Sequence, residues 1–392
     1  MRKIWELKPG CGESCRKLAE DLGVSSILAG ILVNRGLTDA VSAREFLYGD
    51  LSYSYDPYLL KDMDRAVARI RQALDKGEKI LVYGDYDVDG LTSVALLKTI
   101  LSVMDAACAT YIPNRIEEGY GLNADAVKYA SEKGIHLIIT VDCGTDAVDE
   151  VALANSLGID VIITDHHAVK SGRLPEAFAF VNPHRPDCAY PFKGLAGVGV
   201  AYKLAQALTA GSGYKLEKHL DLVALGTVAD IVPQRSENRI FTKEGLKTLC
   251  ATEKTGLKAL IAASGISNRT LTASDIGFVL APRINAMGRI GSADVALKLL
   301  LSRDRIEADR LAGMLNKENS QRQRIEARIL EQAMMKVERE INFARERVIV
   351  LASEDWHPGV IGIVASRLQE KYYRPAILIS FDKTTGMGKG SG

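Results

Sequence analysis

With 392 residues, 47% of them hydrophobic and 25% charged, the chain has ordinary globular composition and exceeds the usual size of one core, so two or more domains are expected. A formal net charge of +1 excludes bulk electrostatics as a way of holding nucleic acid, leaving only local patches. No apolar run approaches the roughly 20 residues that span a bilayer, and the N-terminal MRKIWELKPGCGES lacks a signal peptide's apolar stretch, so a cytoplasmic protein is expected.

Residues 1–55 read as short helices, with a Leu/Ala-rich stretch at 17–29 and another helix at 39–47. Cys11 and Cys15 form a lone C-x-x-x-C; without a second pair it makes no zinc site, and such thiols in a cytosolic chain are reduced and structural. From Lys79 strands alternate with helices. The runs 80–83, 137–141 and 161–164 are rich in β-branched residues and lack period-two alternation, as central strands of a parallel sheet do when helices cover both faces. Helical patterns follow at 92–104, 124–133 and 145–157, which is βαβ architecture.

Past Asp230 strand signals thin out and 240–345 is mainly helical. The stretch 303–347 has no proline and mixes both charge signs, the pattern of a solvated helix; the alternative is a basic edge of Lys317, Arg322, Arg324 and Arg328 lining a phosphate track. A strand at 348–351, a helix at 360–372 and a strand at 376–380 open a second, smaller α/β domain. That piece is too short to hold a core alone, so the sequence reads as truncated at GMGKGSG.

Three strands end in acidic clusters: Gly84-Asp85-Tyr86-Asp87-Val88-Asp89-Gly90, Val141-Asp142-Cys143-Gly144 and Thr164-Asp165-His166-His167. An open parallel sheet binds ligands beyond the carboxyl ends of its strands, so all three clusters are expected at one site. Crowded carboxylates repel and are costly to desolvate unless cations neutralise them. Four or more Asp with two His suit manganese or a similar first-row ion better than calcium, and two such ions about 3.5–4 Å apart serve phosphoester hydrolysis. Each piece alone is weak. The D-x-D-x-D-G run is no EF-hand, because Leu96 stands where that loop needs Glu; a His-His pair is commonly surface, and an Asp after a strand commonly caps a helix. No G-x-S-x-G elbow or G-x-x-x-x-G-K-[ST] loop competes.

With Asp165-His166-His167 the sequence resembles the DHH phosphoesterases, and the ordered series GDYDVDGLTS, PNRIEEGYGL, VDCGT, TDHH, GVGVAYKLA, ALGTVADIVP, APRINAMGRI and DWHPGVIGIVASRL is similar to their RecJ branch. The resemblance covers about 60–392; together with the helical pattern of residues 1–55 it divides the chain into an N-terminal helical region (1–55), a parallel-sheet DHH catalytic domain (56–240), a long helical connector (241–345) and the start of a DHH-associated C-terminal domain (346–392). It places metal ligands at Asp87, Asp89, Asp142, His166 and Asp230, with Asp142 bridging and Asp85 either an additional ligand or a partner that supports the ligands. Asp165 would orient a neighbour and His167 would act beside the scissile phosphate. Arg115 and Arg283 resemble a clamp for a 5′-terminal phosphate, near a Tyr120 flanked by Gly119 and Gly121. His357, Ser366, Arg367 and Ser391 would contact substrate from the second domain, with His357 equally readable as a cap.

The activity so implied is 5′→3′ hydrolysis of single-stranded DNA in recombination and repair with two divalent ions, Mn2+ preferred and Mg2+ possible, alongside a helicase and a single-strand-binding protein. Two alternatives stand beside it. One is a small-substrate DHH phosphoesterase acting on oligoribonucleotides or cyclic dinucleotides; several of those carry His four residues before the D-x-D, where this chain has Tyr83. The other is an inactive replication scaffold of the same fold, against which the intact acidic set argues.

Overall fold

The computed structural model describes residues 4–6, 12–115, 117–170 and 172–392. Three short helices, α1 (Gly12–Leu22), α2 (Ser26–Asn34) and α3 (Ala40–Tyr48), close a small cluster around Leu18, Ala29, Leu32 and Ala43. The single helix expected at 17–29 is thus two, because Gly23 turns the chain at φ +66° and Ser25 caps α2 by accepting from the Leu28 N–H. Cys15 is disulfide-bonded, which corrects the expectation of reduced thiols there; Cys11 lies outside the described residues.

After α4 (Met63–Lys76) the chain builds a five-stranded sheet: β1 (Ile80–Gly84), α5 (Val88–Val103), β2 (Cys108–Tyr111), α6 (Ala124–Glu132), β3 (Leu137–Val141), α7 (Val148–Ser156), β4 (Asp160–Thr164) and β5 (Ala179–Val181). The strands pair parallel throughout in the order β2-β1-β3-β4-β5. Successive residues alternate between two buried layers. Ile80, Val82, Ile139 and Ile162 enter the large core, and Leu81, Tyr83, Ile138 and Ile163 the smaller one. Both faces are dry, and this removes the period-two signal from the sequence.

The two edge strands were not legible. β2 is half-exposed with the mixed sequence CATY, and β5 has three residues. α5 starts four residues earlier than its apolar pattern, since Asp87 caps it; α7 starts three later, because Gly144 at φ +110° and the following residues form a turn.

Helix α8 (Gly197–Thr209) packs on β3 and β4, and α9 (Leu220–Ala229), α10 (Ser236–Cys250), α11 (Thr255–Ala263), the single turn α12 (Ala273–Asp275), a π-helical segment (Ile276–Leu280), α13 (Ala281–Ile290) and α14 (Ala293–Leu301) build outward on α5, α8 and one another. One core runs from Leu60 to Leu315, across the boundary expected at residue 240. Within it Lys203 is fully buried against Glu237 (2.5 Å), whose carboxylate also accepts from Ser54 Oγ, the Tyr55 N–H and Tyr190 Oη.

The long helix α15 (Arg305–Glu340) leads to β6 (Ile349–Ser353), α16 (Ile361–Tyr372), β7 (Ala376–Phe381) and β8 (Gly388–Ser391), in a sheet ordered β6-β7-β8. The C-terminal sheet does not make its core alone: Ile329, Ala333 and Val337 of α15 bury against Leu351, Trp356, Val364 and Leu378. Arg322, expected on a basic edge, instead pairs with buried Glu326 (2.5 Å) and donates to Asn319, while Lys317, Arg324 and Arg328 are exposed. Among the described residues no helix is long and apolar enough to cross a membrane.

Because α15 supplies this layer, Ile329→Ala should cost about 2–4 kcal/mol of stability in the C-terminal unit. Hydrogen exchange checks it: protection should fall in β6–β8 while β1, β3 and β4 keep theirs.

Candidate metal centre

Strand order reverses between β1 and β3, so the crevice at their carboxyl ends opens at the switch point of the sheet. The first acidic cluster leaves β1 and the second leaves β3, which puts both in that crevice.

Asp87 uses one oxygen to cap α5, accepting from the N–H groups of Asp89 (2.9 Å) and Gly90 (3.1 Å), and keeps the other. Asp89, 1% exposed, accepts from the N–H groups of Gly197 (2.7 Å) and Val198 (2.9 Å), the first residues of α8. A helix N-terminus thus faces a carboxylate that water does not reach. Asp142 adopts φ +59°, a strained conformation for this residue, and its carbonyl accepts from Tyr120 Oη at 3.1 Å. Gly197 lies so close that a Cβ there would sit 2.7 Å from the Asp142 side chain.

His166 Nε2 stands 3.1 Å from Asp142 Oδ1, 3.6 Å from Asp230 Oδ2 and 3.8 Å from Asp89 Oδ2. Asp230, at the C-terminal end of α9, joins the cluster from a part of the sequence with no strand-end signal. Three sets of donor atoms each lie within 4.8 Å: Asp85, Asp87 and Asp142; Asp89, His166 and Asp230; and Asp142, His166 and His167. Asp142 belongs to two of them.

Burial, then the charges of Asp230 and Asp87, push Asp89 well above the usual carboxylate range; burial, then Asp89 and Asp87, does the same to Asp142. Burial and Asp87 raise Asp85 to about 7 and Asp230 to about 6. Burial and His167 bring His166 down to about 4, leaving a neutral imidazole suited to ligation. Asp85 Oδ1, Asp142 Oδ1 and His166 Nε2 are all buried without a hydrogen-bond partner. Inward-turned lone pairs that nothing in the protein satisfies, on mixed oxygen and imidazole donors, fit a pair of divalent cations.

Asp165 is built differently. Burial opposes its charge, yet hydrogen bonds to His167 and Thr145 bring it down to about 2. One oxygen accepts from the His166 and His167 N–H groups and from His167 Nδ1 (2.7 Å), the other from the Thr145 N–H (2.9 Å). Asn182 ties Thr145 Oγ1 to the His167 carbonyl. Asp165 therefore orients rather than ligates: it fixes the half-exposed His167 and raises the pKa of that ring. Tyr120 Oη, 3.2 Å from His167 Nδ1 and 3.3 Å from Nε2, completes the seat; the sequence marked only the glycines around it.

On the other side of the crevice the Arg115 guanidinium lies 5.1 Å from the Tyr86 ring centroid. It lines a polar cavity of about 400 Å³ with Asn114, Gly288, Ser292 and Asp294. The structure does not place Arg283 beside it; that side chain donates to Asn316 Oδ1 (3.0 Å) and the Val279 carbonyl. Arg289 is the guanidinium that feels Arg115. Burial, Arg115 and Arg322 bring it down to about 10, and it donates to the Gly359 carbonyl. The motif APRINAMGRI contains both arginines, and nothing in the pattern says which one faces inward.

In the C-terminal unit His357 Nδ1 accepts from the Gly359 N–H, Ser366 Oγ donates within α16, and Arg367 pairs with Glu326 (2.5 Å). Ser391 is exposed on β8, within 2.7 Å of where a Cβ on Gly362 would stand.

Residues 79–227 match the model of the DHH family, N-terminal domain. The single-stranded-DNA-specific exonuclease RecJ of Salmonella typhimurium is 38% identical over 100% of this chain and 69% of its own length. The chain belongs to the RecJ family. RecJ of Bacillus subtilis is 44% identical over 99% of this chain, which spans about half (48%) of that relative's length. A crystal structure of exonuclease RecJ bound to manganese superposes with TM-score 0.74 at 37% identity, covering 82% of this chain and 80% of the other.

If cations relieve the repulsion in this RecJ-family centre, Asp142→Asn should raise the melting temperature of the metal-free protein while abolishing the rise that Mn2+ gives the parent. Gly197→Ala should also weaken Mn2+ binding by tenfold or more (about 1.4 kcal/mol). Thermal melts with and without Mn2+, and calorimetric titration of the ion, check both.

Proposed function

We propose that this chain hydrolyses single-stranded DNA from a 5′-phosphorylated end, with two divalent ions, Mn2+ preferred, in the crevice at the ends of β1 and β3. The observation that carries the reading is the meeting of Asp85, Asp87, Asp89, Asp142, His166 and Asp230, among which Asp85 Oδ1, Asp142 Oδ1 and His166 Nε2 are buried without a hydrogen-bond partner. Asp87, Asp89, His166, Asp230 and Asp85 would hold the ions, with Asp142 shared between them. When bound, such a pair activates water and stabilises the charge that builds on a phosphodiester during displacement.

The protein's own groups do the rest. Asp165 holds the Nδ1 side of His167, so that its Nε2 can donate a hydrogen bond or proton to a phosphate oxygen beside the ions. Tyr120 keeps the ring from turning away. Arg115 and Arg289 make the positive end of the crevice, where a terminal phosphate would be gripped by planar donor forks. His357, Ser366, Arg367 and Ser391 would border the strand from the C-terminal unit. Contacts to phosphates leave the reading indifferent to base sequence.

The division into residues 1–55, 56–240, 241–345 and 346–392 belongs to the same proposal, as do a cytoplasmic location and, as partners, a helicase and a single-strand-binding protein that would supply and protect the substrate.

The test compares 5′-phosphorylated single-stranded DNA, its duplex and a short oligoribonucleotide, each with Mn2+. Rapid loss of the single strand alone is expected; preference for the oligoribonucleotide would place the chain with the small-substrate phosphoesterases. Asp142→Ala should lower kcat by about a thousandfold or more (on the order of 4 kcal/mol). Arg115→Ala should chiefly raise KM and erase the advantage of a 5′-phosphate over a 5′-hydroxyl, measured on paired oligonucleotides.

A further inference from the structure

The first turn of α5 starts at the metal loop, and its backbone N–H groups need acceptors from outside the helix. Asp87 takes two of them with one oxygen, those of Asp89 and Gly90. The Val88 N–H goes elsewhere: it donates to Asn285 Oδ1 of α13 at 3.2 Å, across 197 residues of chain. One turn further along α13, Gly288 lies against the same loop, where a Cβ would stand 2.8 Å from the Tyr86 carbonyl oxygen. Residues three and four apart share a helix face, so Asn285, Gly288 and Arg289 lie on one side of α13. Arg289 feels the same loop: burial, Arg115 and Arg322 lower its pKa, and the charges of Asp87 and Tyr86 oppose them. Tyr86 therefore meets α13 through its carbonyl and Arg115 through its ring, midway between Asp85 and Asp87 in the sequence.

We propose that Asn285 is a positioning residue with two effects. By accepting from Val88 it relieves Asp87 of a third N–H, so that this carboxylate keeps an oxygen for the ion it would share with Asp85 and Asp142. Together with Gly288 it also fixes the register between the metal loop and the face of α13 that carries Arg289, and so the distance from a gripped terminal phosphate to the bond that is cut. Val88 is fully buried, and losing the amide would leave its N–H unpaired or draw Asp87 onto it. A neutral amide oxygen does this without adding charge to an already acidic loop. The second effect rests on the single-strand reading above; the first rests on the metal centre alone.

The experiment compares the parent chain with Asn285→Ala, Asn285→Asp and Gly288→Ala. Calorimetric titration without DNA gives Mn2+ affinity, and gels of 5′-phosphorylated oligothymidylate digested at saturating Mn2+ give product lengths. Asn285→Ala should weaken Mn2+ binding about tenfold, the size expected when a group supporting a metal ligand is lost. It should also turn the parent's one product length into a mixture, and Gly288→Ala should do the same. Asn285→Asp keeps an acceptor oxygen in the same place and should restore Mn2+ affinity to within about threefold of the parent, with one product length. Mn2+ binding by Asn285→Ala within twofold of the parent overturns the first effect. One product length from both alanine variants, or a mixture from the parent itself, overturns the second. An equal loss in Asn285→Asp and Asn285→Ala overturns both, because the acceptor would then not matter. If Asn285→Ala does not fold, the other two variants decide: parent-like Mn2+ binding by Asn285→Asp with mixed products from Gly288→Ala upholds the role, and either opposite result overturns the matching effect. If the parent leaves single strands uncut, the reading under Proposed function falls and takes the second effect with it, while the Mn2+ titration still decides the first.

Discussion

The repulsion among buried carboxylates at the ends of β1 and β3 is the constraint around which the rest of this structure is arranged. Asp89 and Asp142 are almost wholly removed from water and stand among further acids. Burial and like charge act in the same direction on both, and neither has a lysine or arginine partner among the described ion pairs. Elsewhere in the same molecule buried charge is treated differently. Glu237 meets Lys203, and Asp221 meets Lys254 at 2.7 Å. The protein can pair a buried acid with a base, so a cluster left without one marks a place kept for cations.

Holding such a cluster takes backbone rather than side-chain neutralisation. The α8 N-terminus offers two N–H groups to Asp89, the α5 N-terminus two to Asp87, and the β4 carbonyl of Thr164 fixes the Asp142 N–H in its left-handed turn. These contacts supply dipoles and hydrogen bonds without adding a competing cation. They also explain why small residues stand where they do. A Cβ on Gly197 would strike Asp142, and one on Gly226 would come within 2.8 Å of Asp89 Oδ1. Asp165 is the counter-example within the same motif: four hydrogen-bond and charge contacts from Thr145, His166 and His167 settle its charge, which frees it to orient and removes it from the ligand sets.

How much of this was legible follows from where the determinants lie along the chain. Central strands announced themselves as β-branched runs, and an acid after each of them is a local pattern, so Asp85, Asp87, Asp89, Asp142 and His166 could be gathered from sheet logic alone. Asp230 could not, because it ends a helix brought in from about 65 residues beyond β4, and only the resemblance pointed to it. The two helix N-termini behind Asp87 and Asp89 were hidden for a related reason: a capping interaction within α5 is local, but the meeting of Asp89 with Gly197 spans 108 residues. Arg289 and Arg283 differ only in which face of α13 they occupy, and the π-helical segment before that helix shifts the face by an amount no periodicity reveals. The edge strands failed through shortness and partial exposure.

The C-terminal unit follows from the same economy of contacts. A three-stranded sheet with one helix buries too little to stand by itself, and α15 runs on from its packing against α11, α13 and α14 to give it Ile329, Ala333 and Val337. The helix that completes that core also carries Glu326, which pairs with Arg322 on its own surface and with Arg367 of α16. Arg289 reaches from α13 to the Gly359 carbonyl, and a Cβ on Gly359 would collide with the Arg289 carbonyl, so the loop before α16 is pressed against the positive end of the crevice. Sheet, connector and C-terminal unit therefore meet at guanidinium groups. The acidic end of the crevice is organised by the parallel sheet, and the basic end lies where Arg289 of α13 meets the loop before α16.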